Sequence, residues 1–377
     1  MSHRIVILGG GYAGVTAANR IARRLDGAEV TLVNERATFV ERVRLHQVAA
    51  GESLASRPLR ELVRPGVDVV VGRAGRIDLE RRQVVLDGGA ESEPAPLPYD
   101  TLVYALGSVA APGPDDAVAL ATADDAWWAR DRVAELVAEH GTVAVVGGGL
   151  TGIEAATELA ERHPAVRVRL VSDVEPGPWL SHRAQGHLRR VFHGLGIEVA
   201  GGSVADVRDG SVRLTDGRVV GAGLTLACTG FAVPAVARDS GLAVDEVGRI
   251  RVDRTLRSVS HPDVYAVGDA AVPQLPNGRP FRMACATALP MSAAAGAAIA
   301  DRLAGRRPTG LRFRYVNQCV SLGRRNGVIQ AVAADDHPHR IVLTGAVAAR
   351  YKETVVRGAT WFTAHPGPNR PVPRTRV

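Results

Sequence analysis

The chain has 377 residues, of which 46% are hydrophobic and 23% charged, so intrinsic disorder is excluded, and the absence of a regular glycine repeat excludes a collagen-like chain. This length predicts two or three domains. The formal charge is +7, but the basic residues are nearly all arginine and are spread along the chain, which favours a solvated surface over a nucleic-acid-binding patch.

Signals for export, membrane insertion and thiol chemistry are weak in this sequence. No apolar run approaches the roughly 18 residues of a spanning helix, and a strand-like run begins at Arg4, so we expect no signal peptide. Cys228, Cys285 and Cys319 form no CxxC pair, zinc spacing or disulfide framework. We expect a cytoplasmic protein without a metal site, with peripheral contact at the inner face of the membrane as the alternative.

One pattern occurs twice, in residues 4–35 and 142–173. Each copy has a strand-like run, a glycine turn, a helix-like stretch and a second strand-like run. Short continuous Val/Ile/Leu runs are typical of parallel strands buried on both faces, and an apolar period of 3.6 follows each turn. The sequence therefore predicts an α/β fold with two Rossmann-like, three-layer dinucleotide-binding units.

Each glycine turn has the form G-x-G-x-x-G between a strand and a helix. The first glycine permits the tight turn, the second lets the backbone approach a pyrophosphate, and the third lets helix and strand pack closely. The residues expected to hold the two dinucleotides are Gly9, Gly11, Tyr12, Ala13 and Gly14 in the first copy and Gly147, Gly149, Leu150, Thr151 and Gly152 in the second. A purely structural glycine turn is the alternative, which two copies in one chain disfavour.

An acidic residue follows the last glycine by 21 positions in both copies. In the first copy Asn34 or Glu35 can accept a hydrogen bond from the adenosine ribose, and Glu35 can instead be a solvated surface charge. In the second copy Asp173 has this place, after Ser172. Because no arginine stands there to bind a 2′-phosphate, NADH is favoured over NADPH.

The remaining segments suggest smaller elements. Residues 78–100 alternate like antiparallel strands, with a loop at 91–98, and residues from about 309 onward predict a further small domain. Its expected elements are strands at 312–316, 319–322 and 327–332, a helix near 345–363 and a loose proline-rich tail from Pro366.

Five segments together resemble the two-dinucleotide-binding-domain flavoproteins, the pyridine nucleotide-disulfide oxidoreductase superfamily, over about residues 4–307. They are the first glycine motif, Tyr99–Ser108, the second glycine motif with Glu154, Leu224–Gly230 and Pro262–Ala270. The resemblance implies that the first motif binds FAD and the second binds NAD(P)H, in a domain inserted into the FAD domain. The expected boundaries are 1–114 and 243–308 for the FAD domain, 115–242 for the NAD(P)H domain and 309–377 for a C-terminal α+β domain.

The resemblance also assigns individual residues to the cofactors. Asp269 matches the aspartate that bonds the ribityl chain of the flavin, whereas without the resemblance it would be interpreted only as a helix N-cap. The helix that follows Met283 would point its N-terminus at the flavin ring. The other matched cofactor-binding positions are Ala105, Gly107, Thr229, Gly230, Gly268, Ala286 and Thr287.

Within the superfamily, no cysteine pair has the spacing of a redox disulfide, which argues against disulfide reduction. The segment Arg36–Gly51 instead looks like type II NADH:quinone dehydrogenases and apoptosis-inducing-factor-like reductases. The resemblance makes Arg44 and His46 neighbours of the isoalloxazine and Glu154 a nicotinamide contact, and these are the three catalytic candidates. Their alternatives are a buried hinge arginine, a core histidine and a helix first-turn acid.

Two departures weaken the assignment of a membrane quinone. Pro290 and Ala294 stand where the membrane-bound enzymes carry glutamines, and the helix near 347–362 is expected to pack in the core. We therefore predict an FAD-dependent NAD(P)H oxidoreductase that passes hydride from NADH to FAD and electrons to a quinone-like or other small acceptor. One alternative is a reductase for a redox protein such as a ferredoxin, but Val43–Gln47 does not match the motif that such reductases carry near position 45. The other is a flavin-bound signalling or nucleic-acid-binding protein, which only the charge supports.

Overall fold

The computed structural model describes residues 2–87, 95–273, 280–366 and 375–376, and its elements are numbered along the chain. The first are β1 (Arg4–Leu8), α1 (Tyr12–Arg24), β2 (Leu25–Asp26), β3 (Glu29–Asn34), a 3-10 turn (Arg42–Arg44), α2 (Leu45–Ala49), α3 (Leu59–Leu62), β4 (Val67–Val71), β5 (Ala74–Asp78), β6 (Gln83–Leu86), β7 (Leu97–Pro98), β8 (Thr101–Tyr104) and β9 (Val109–Ala110). Next come β10 (Val118–Ala119), α4 (Ala123–Glu139), β11 (Thr142–Val146), α5 (Leu150–Arg162), β12 (Arg167–Ser172), α6 (His182–Gly194), β13 (Glu198–Gly201), β14 (Val204–Arg208), β15 (Ser211–Leu214), β16 (Val219–Gly221), β17 (Leu224–Ala227) and β18 (Phe231–Ala232). The rest are α7 (Val236–Asp239), β19 (Ile250–Val252), β20 (Val264–Ala266), a 3-10 turn (Gly268–Ala270), β21 (Ala271–Pro273), α8 (Cys285–Leu303), β22 (Asn317–Ser321), β23 (Gly327–Val332), β24 (Pro338–Thr344), α9 (Gly345–Ala364) and β25 (Thr375–Arg376).

The first parallel sheet has the strand order β20-β8-β1-β3-β4. Its central strand β1 pairs in parallel with β3 and β8, and its residues from Ile5 to Leu8 are all buried. Burial on both faces explains why this strand is a continuous apolar run. Helix α1 packs on this sheet and α8 packs on α1.

The second parallel sheet has the strand order β10-β17-β11-β12-β13. All of its strands come from residues 118–227, between the β8 and β20 strands of the first sheet. The chain therefore leaves the first sheet, builds the second and returns to complete the first. The predicted α/β fold with two Rossmann-like units is confirmed.

Three antiparallel sheets of three strands each accompany the two parallel ones in the described residues, formed by β5-β6-β7, β14-β15-β16 and β22-β23-β24. The first confirms the antiparallel pattern predicted for residues 78–100. The loop predicted for 91–98 is wrong at its end, since Leu97 and Pro98 pair with Val84 and Gln83, and residues 91–94 lie outside the described part.

Helix α9 covers the β22-β23-β24 sheet and also packs against α1. It buries Ala348, Val356 and Ala359, so the predicted core-packing helix is confirmed for one face, while Trp361 and Phe362 remain about half exposed. Within the described ranges, no helix combines the length and apolarity needed to cross a bilayer.

The strand predicted at residues 312–316 is wrong, because these residues form no strand and only the Val316 carbonyl accepts from β23, from the Val332 N–H at 3.0 Å. Phe313 and Tyr315 pack edge to face at 4.9 Å, and both contact Phe281. The side chains are therefore held by an aromatic cluster instead of a sheet.

The loose tail predicted from Pro366 is wrong at its end. Thr375 and Arg376 form a short parallel pair with Leu25 and Asp26, which continue the chain after α1 and offer an open strand edge. Residues 367–374 lie outside the described residues.

Candidate functional site

The turn between β1 and α1 depends on its first and third glycines for close packing. Gly9 has a φ of +102°, and a Cβ there would lie 2.4 Å from the Ala105 carbonyl oxygen. A Cβ on Gly14 would lie 1.7 Å from the Gly9 oxygen. By contrast, a Cβ on Gly11 would meet no atom within 4 Å. The turn thus leaves an open space at the N-terminus of α1, where backbone N–H groups can receive a pyrophosphate.

The turn between β11 and α5 repeats this geometry. Gly147 has a φ of +118° with a would-be Cβ 2.4 Å from the Cys228 oxygen, and Gly152 would meet the Gly147 oxygen at 1.9 Å. The space at Gly149 is again open. Neither Gly11 nor Gly149, the N-caps of their helices, brings a side-chain cap. Both turns therefore fit a dinucleotide phosphate.

The residues next to these turns complete the two candidate dinucleotide sites, the first at the β1–α1 turn and the second at the β11–α5 turn. Tyr12 and Ala13 are buried in the first turn of α1, while Leu150 is 41% exposed and Thr151 half-buried in the first turn of α5. Further predicted positions follow the carboxyl ends of β8, β17 and β20, and these are Ala105, Gly107, Thr229, Gly230, Gly268 and Asp269. Ligands of parallel α/β sheets bind at this edge.

At the end of β3 the two candidate residues have different tasks. Asn34 Oδ1 accepts from the Gly10 N–H at 2.7 Å and Asn34 Nδ2 donates to the Arg36 carbonyl at 2.8 Å. Its amide therefore holds the glycine turn. Glu35 is exposed, so its carboxylate is the group available to a ribose.

At the end of β12 Asp173 is exposed and Ser172 is buried. The Ser172 hydroxyl lies beside Gly148 and has no hydrogen-bond partner among the described residues. A buried hydroxyl without a partner is costly unless a ligand or water completes it. Ser172 therefore joins Asp173 as a candidate ribose contact.

Asp269 lies in a partly buried network of polar side chains. The Ser108 hydroxyl donates to Asp269 Oδ2 at 2.7 Å, and Arg42 donates to the Ser108 carbonyl at 2.6 Å. Burial raises the pKa of Asp269, although Ser108 and Arg42 oppose the shift. Arg42 was not predicted as a site residue, and its only sequence signal is its position in the segment that contains Arg44. An aspartate hydrogen-bonded to a hydroxyl, with a guanidinium group close by, fits the polar chain of a flavin.

Helix α8 begins at Cys285 after Ala284, which brings no side-chain cap. The Thr287 hydroxyl donates within this turn, to the carbonyl oxygens of Arg282 or Ala284 at 2.8 Å. Ala286, one residue after Cys285, lies in the same turn. The positive end of the α8 dipole is thus available to a developing negative charge.

Glu154 lies in α5 and is buried, with an exposure of 5%. Its Oε1 accepts from the Ser321 N–H and from Lys352 Nζ, both at 2.9 Å. Burial by itself would raise the pKa of Glu154, but the charge of Lys352 and the nearby His46 hold it below its ordinary value. Burial likewise opposes the charge of Lys352, and Glu154 raises its pKa above the ordinary value. The structure therefore contains a buried, charged Glu154–Lys352 pair.

Lys352 was not predicted as a site residue, yet it is the only lysine among 46 basic residues. In a chain that uses arginine almost everywhere, a single lysine was the available signal. It lies in α9, far from α5 in sequence, so the pairing could not be predicted.

His46 and Arg44 lie close to this pair. His46 is 4% exposed, its Nε2 has no partner among the described residues, and burial lowers its pKa to about 4, so the imidazole is neutral at pH 7. Arg44 pairs with Glu41 at 3.2 Å and with Glu353 at 2.8 Å. Because carboxylates already use its donors, Arg44 joins α9 to the 3-10 turn before α2, and a role beside the flavin remains a prediction.

The three cysteines are free thiols. Burial raises the pKa of Cys228 to about 12 and that of Cys319 to about 11, and it also raises the pKa of Cys285. Protonated thiols are poor nucleophiles. In the described part of the chain, no cluster of three or more His, Cys, Asp or Glu side chains could hold a metal ion.

Comparisons with known proteins agree with this geometry. The sequence model of the family "pyridine nucleotide-disulphide oxidoreductase" matches residues 3–297. An NADH dehydrogenase-like protein of Mycobacterium tuberculosis is 29% identical over 380 residues, which cover 93% of this chain and 92% of the relative. The type II NADH:quinone oxidoreductase NdhA of the same organism is 29% identical over 73% of this chain and 67% of its own length.

Among solved structures, NDH2 from Plasmodium falciparum in complex with NADH superposes with a TM-score of 0.81. The match covers 97% of both chains at 15% identity. At this identity the likeness shows the fold alone.

Proposed function

This chain belongs to the pyridine nucleotide-disulphide oxidoreductase family, and we propose that it is an FAD-dependent NADH oxidoreductase that passes electrons to a quinone-like acceptor. The proposal rests chiefly on the two glycine turns, each with an open helix N-terminus, in one chain. The relatives named for NADH dehydrogenase and NADH:quinone oxidoreductase activity support the donor and the acceptor class.

The first turn would hold the FAD pyrophosphate, and Glu35 would bind its ribose. The hydrogen-bonded Ser108–Asp269 pair, with Arg42 behind it, would bind the ribityl chain. The α8 N-terminus would supply positive potential at the ring. Bound FAD would accept a hydride from NADH and pass two electrons on.

The second turn would hold the NADH pyrophosphate, with Asp173 and Ser172 at its ribose. Glu154 would then orient the nicotinamide. Both of its described bonds end on Oε1, so Oε2 can accept from a carboxamide N–H. Lys352 keeps this acceptor charged, and the neutral His46 offers Nε2 beside it. Domain boundaries at residues 114, 242 and 308, and a cytoplasmic or peripheral location, remain part of this proposal.

The function is tested by steady-state NADH oxidation with a water-soluble quinone, with a ferredoxin and with oxygen alone. We expect purified protein to carry FAD and the quinone rate to exceed the oxygen rate at least about 10-fold. A faster rate with ferredoxin would favour the redox-protein alternative. A protein that neither contains nor takes up flavin would exclude the proposal and leave the signalling alternative.

The preference for NADH or NADPH tests the proposed site at the β11–α5 turn. A carboxylate at Asp173 repels a 2′-phosphate, so we expect NADH to be favoured by about 5- to 30-fold in kcat/KM. Asp173→Arg should shift the ratio toward NADPH mainly through KM, because the ribose is remote from the reacting carbon. Glu175→Arg, an equal charge change two residues further, serves as the control. Equal use of both nucleotides by wild type, unchanged in Asp173→Arg, would contradict a ribose contact.

A further inference from the structure

Glu158 is the second acidic residue on the buried face of α5, one helical turn beyond Glu154. It is only 1% exposed, and its Oε2 has no hydrogen-bond partner among the described residues. Buried carboxyl oxygens are almost always satisfied. An isolated one in a helix of the candidate site therefore requires an explanation.

Three parts of the chain meet at Glu158. Helix α5 contributes Glu161 and Arg162, the segment after α2 contributes Glu52, and the turn between β22 and β23 contributes Arg324. The contacts among them close the junction, since Arg162 pairs with Glu52 at 2.9 Å and Glu161 accepts from the Arg324 N–H. Burial raises the pKa of Glu158 to about 7, with Glu161 and Glu52 adding to the shift and Arg324 and Arg162 opposing it. The carboxyl can thus hold and release a proton near neutral pH.

His46 lies toward the other end of this buried face. It belongs to α2, which packs on α5. Besides burial, the charges of Glu154, Lys352, Arg324 and Arg44 act on its pKa. Its Nε2 is the second buried atom in this region without a described partner. Each of these two atoms can therefore bind a water molecule or a ligand group.

We propose that Glu158 is the group through which the site takes up the proton that its reaction consumes. The inference rests on the proposed function. NADH supplies two electrons and one hydrogen nucleus, whereas a reduced quinone gains two hydrogens, so one proton enters from solvent in each turnover. That proton leaves the Glu158 carboxyl for the oxygen of the reduced acceptor and is replaced on Glu158 from solvent, with the unpartnered Nε2 of His46 as the second group that can carry it. Only O–H and N–H bonds change, and no electron passes through these residues.

Thermal unfolding between pH 5 and pH 8 tests the proton on Glu158 without any activity. The pKa of Glu158 is raised in the folded state, so folding favours its protonated form. Its contribution to stability is therefore lost as the pH rises from the pKa of the unfolded chain to the folded-state pKa of about 7. Glu158→Gln removes this loss, so we expect equal Tm values at pH 5 and a Tm about 2–5 °C above wild type at pH 8. Parallel curves for the two proteins would overturn the buried proton. Glu135→Gln, an exposed change, is the matched control and should follow wild type.

Turnover with NADH and a soluble quinone tests the uptake. The turnover rate of wild type should fall above about pH 7. The turnover rate of Glu158→Gln should be about 10-fold lower than that of wild type at pH 6.5 and should not fall further above pH 7. Glu158→Asp should restore part of the rate, and reduction of bound flavin by NADH should be unchanged in all variants. A Gln variant with the wild-type rate and pH profile overturns the role of Glu158 alone. A wild type that fails to reduce quinone overturns the proposed function, and the uptake proposal with it.

Discussion

Replacing Gly11 by valine is expected to give a folded protein that has lost FAD. Gly11 has a φ of −80°, which valine can adopt, and nothing surrounds its would-be Cβ. The fold therefore tolerates the side chain, which instead fills the space for the pyrophosphate. We expect FAD affinity to fall at least about 100-fold, equal to about 2.7 kcal/mol, measured by flavin absorbance after gel filtration and by titration of the apo-protein.

Gly149→Val is the matched control at the second turn, with a φ of −75° and the same open space. It should keep FAD and raise the KM for NADH. Gly14→Ala is a different control, because its Cβ would overlap the Gly9 oxygen and should prevent correct folding. Loss of flavin in Gly149→Val, with none in Gly11→Val, would exchange the two assignments.

Replacing Lys352 by methionine is expected to damage both stability and catalysis. The Lys352 side chain is 15% exposed and that of Glu154 is 7% exposed, so the change leaves a buried carboxylate without its counter-ion. Removing one partner of a buried pair costs about 3–5 kcal/mol. The pKa of Glu154 should rise, since the charge of Lys352 is the largest influence that opposes the effect of burial. We expect kcat/KM for NADH to fall about 10- to 100-fold near pH 7.

The double variant Lys352→Met with Glu154→Gln separates the two effects. It removes both charges, so denaturant unfolding should show most of the lost stability restored, while activity stays low. Arg350→Met, an exposed change in the same helix, should alter neither quantity. Wild-type NADH kinetics in Lys352→Met would show that the pair has only a structural role.

The sequence predicted features that depend on residues close together in the chain. The spacing of Gly9, Gly11 and Gly14 follows from one tight turn and one helix start, and the observed contacts involve that turn and the adjoining strand. The run of buried residues in β1 likewise follows from its place inside a parallel sheet. Local sterics and burial on two faces leave few alternatives for such segments.

Local pattern was less reliable where packing between distant segments decided the result. Phe313 and Tyr315 alternate as in a strand, yet they join an aromatic cluster with Phe281. Thr375 and Arg376 come after a proline-rich stretch, yet they pair with β2. In both cases contacts with residues elsewhere in the chain, and not the local sequence pattern, determined the backbone conformation.

The amino-acid sequence by itself determined the two glycine turns and the fold class, because these depend on short-range spacing that any chain of this pattern shares. Only the tertiary structure decided which ionisable groups meet. Lys352 reaches Glu154 from α9, Arg42 reaches Ser108 beside Asp269, and the junction of three segments buries Glu158. Charge state depends on burial and on neighbours within a few ångströms, and those neighbours are brought together by packing between residues far apart in the chain.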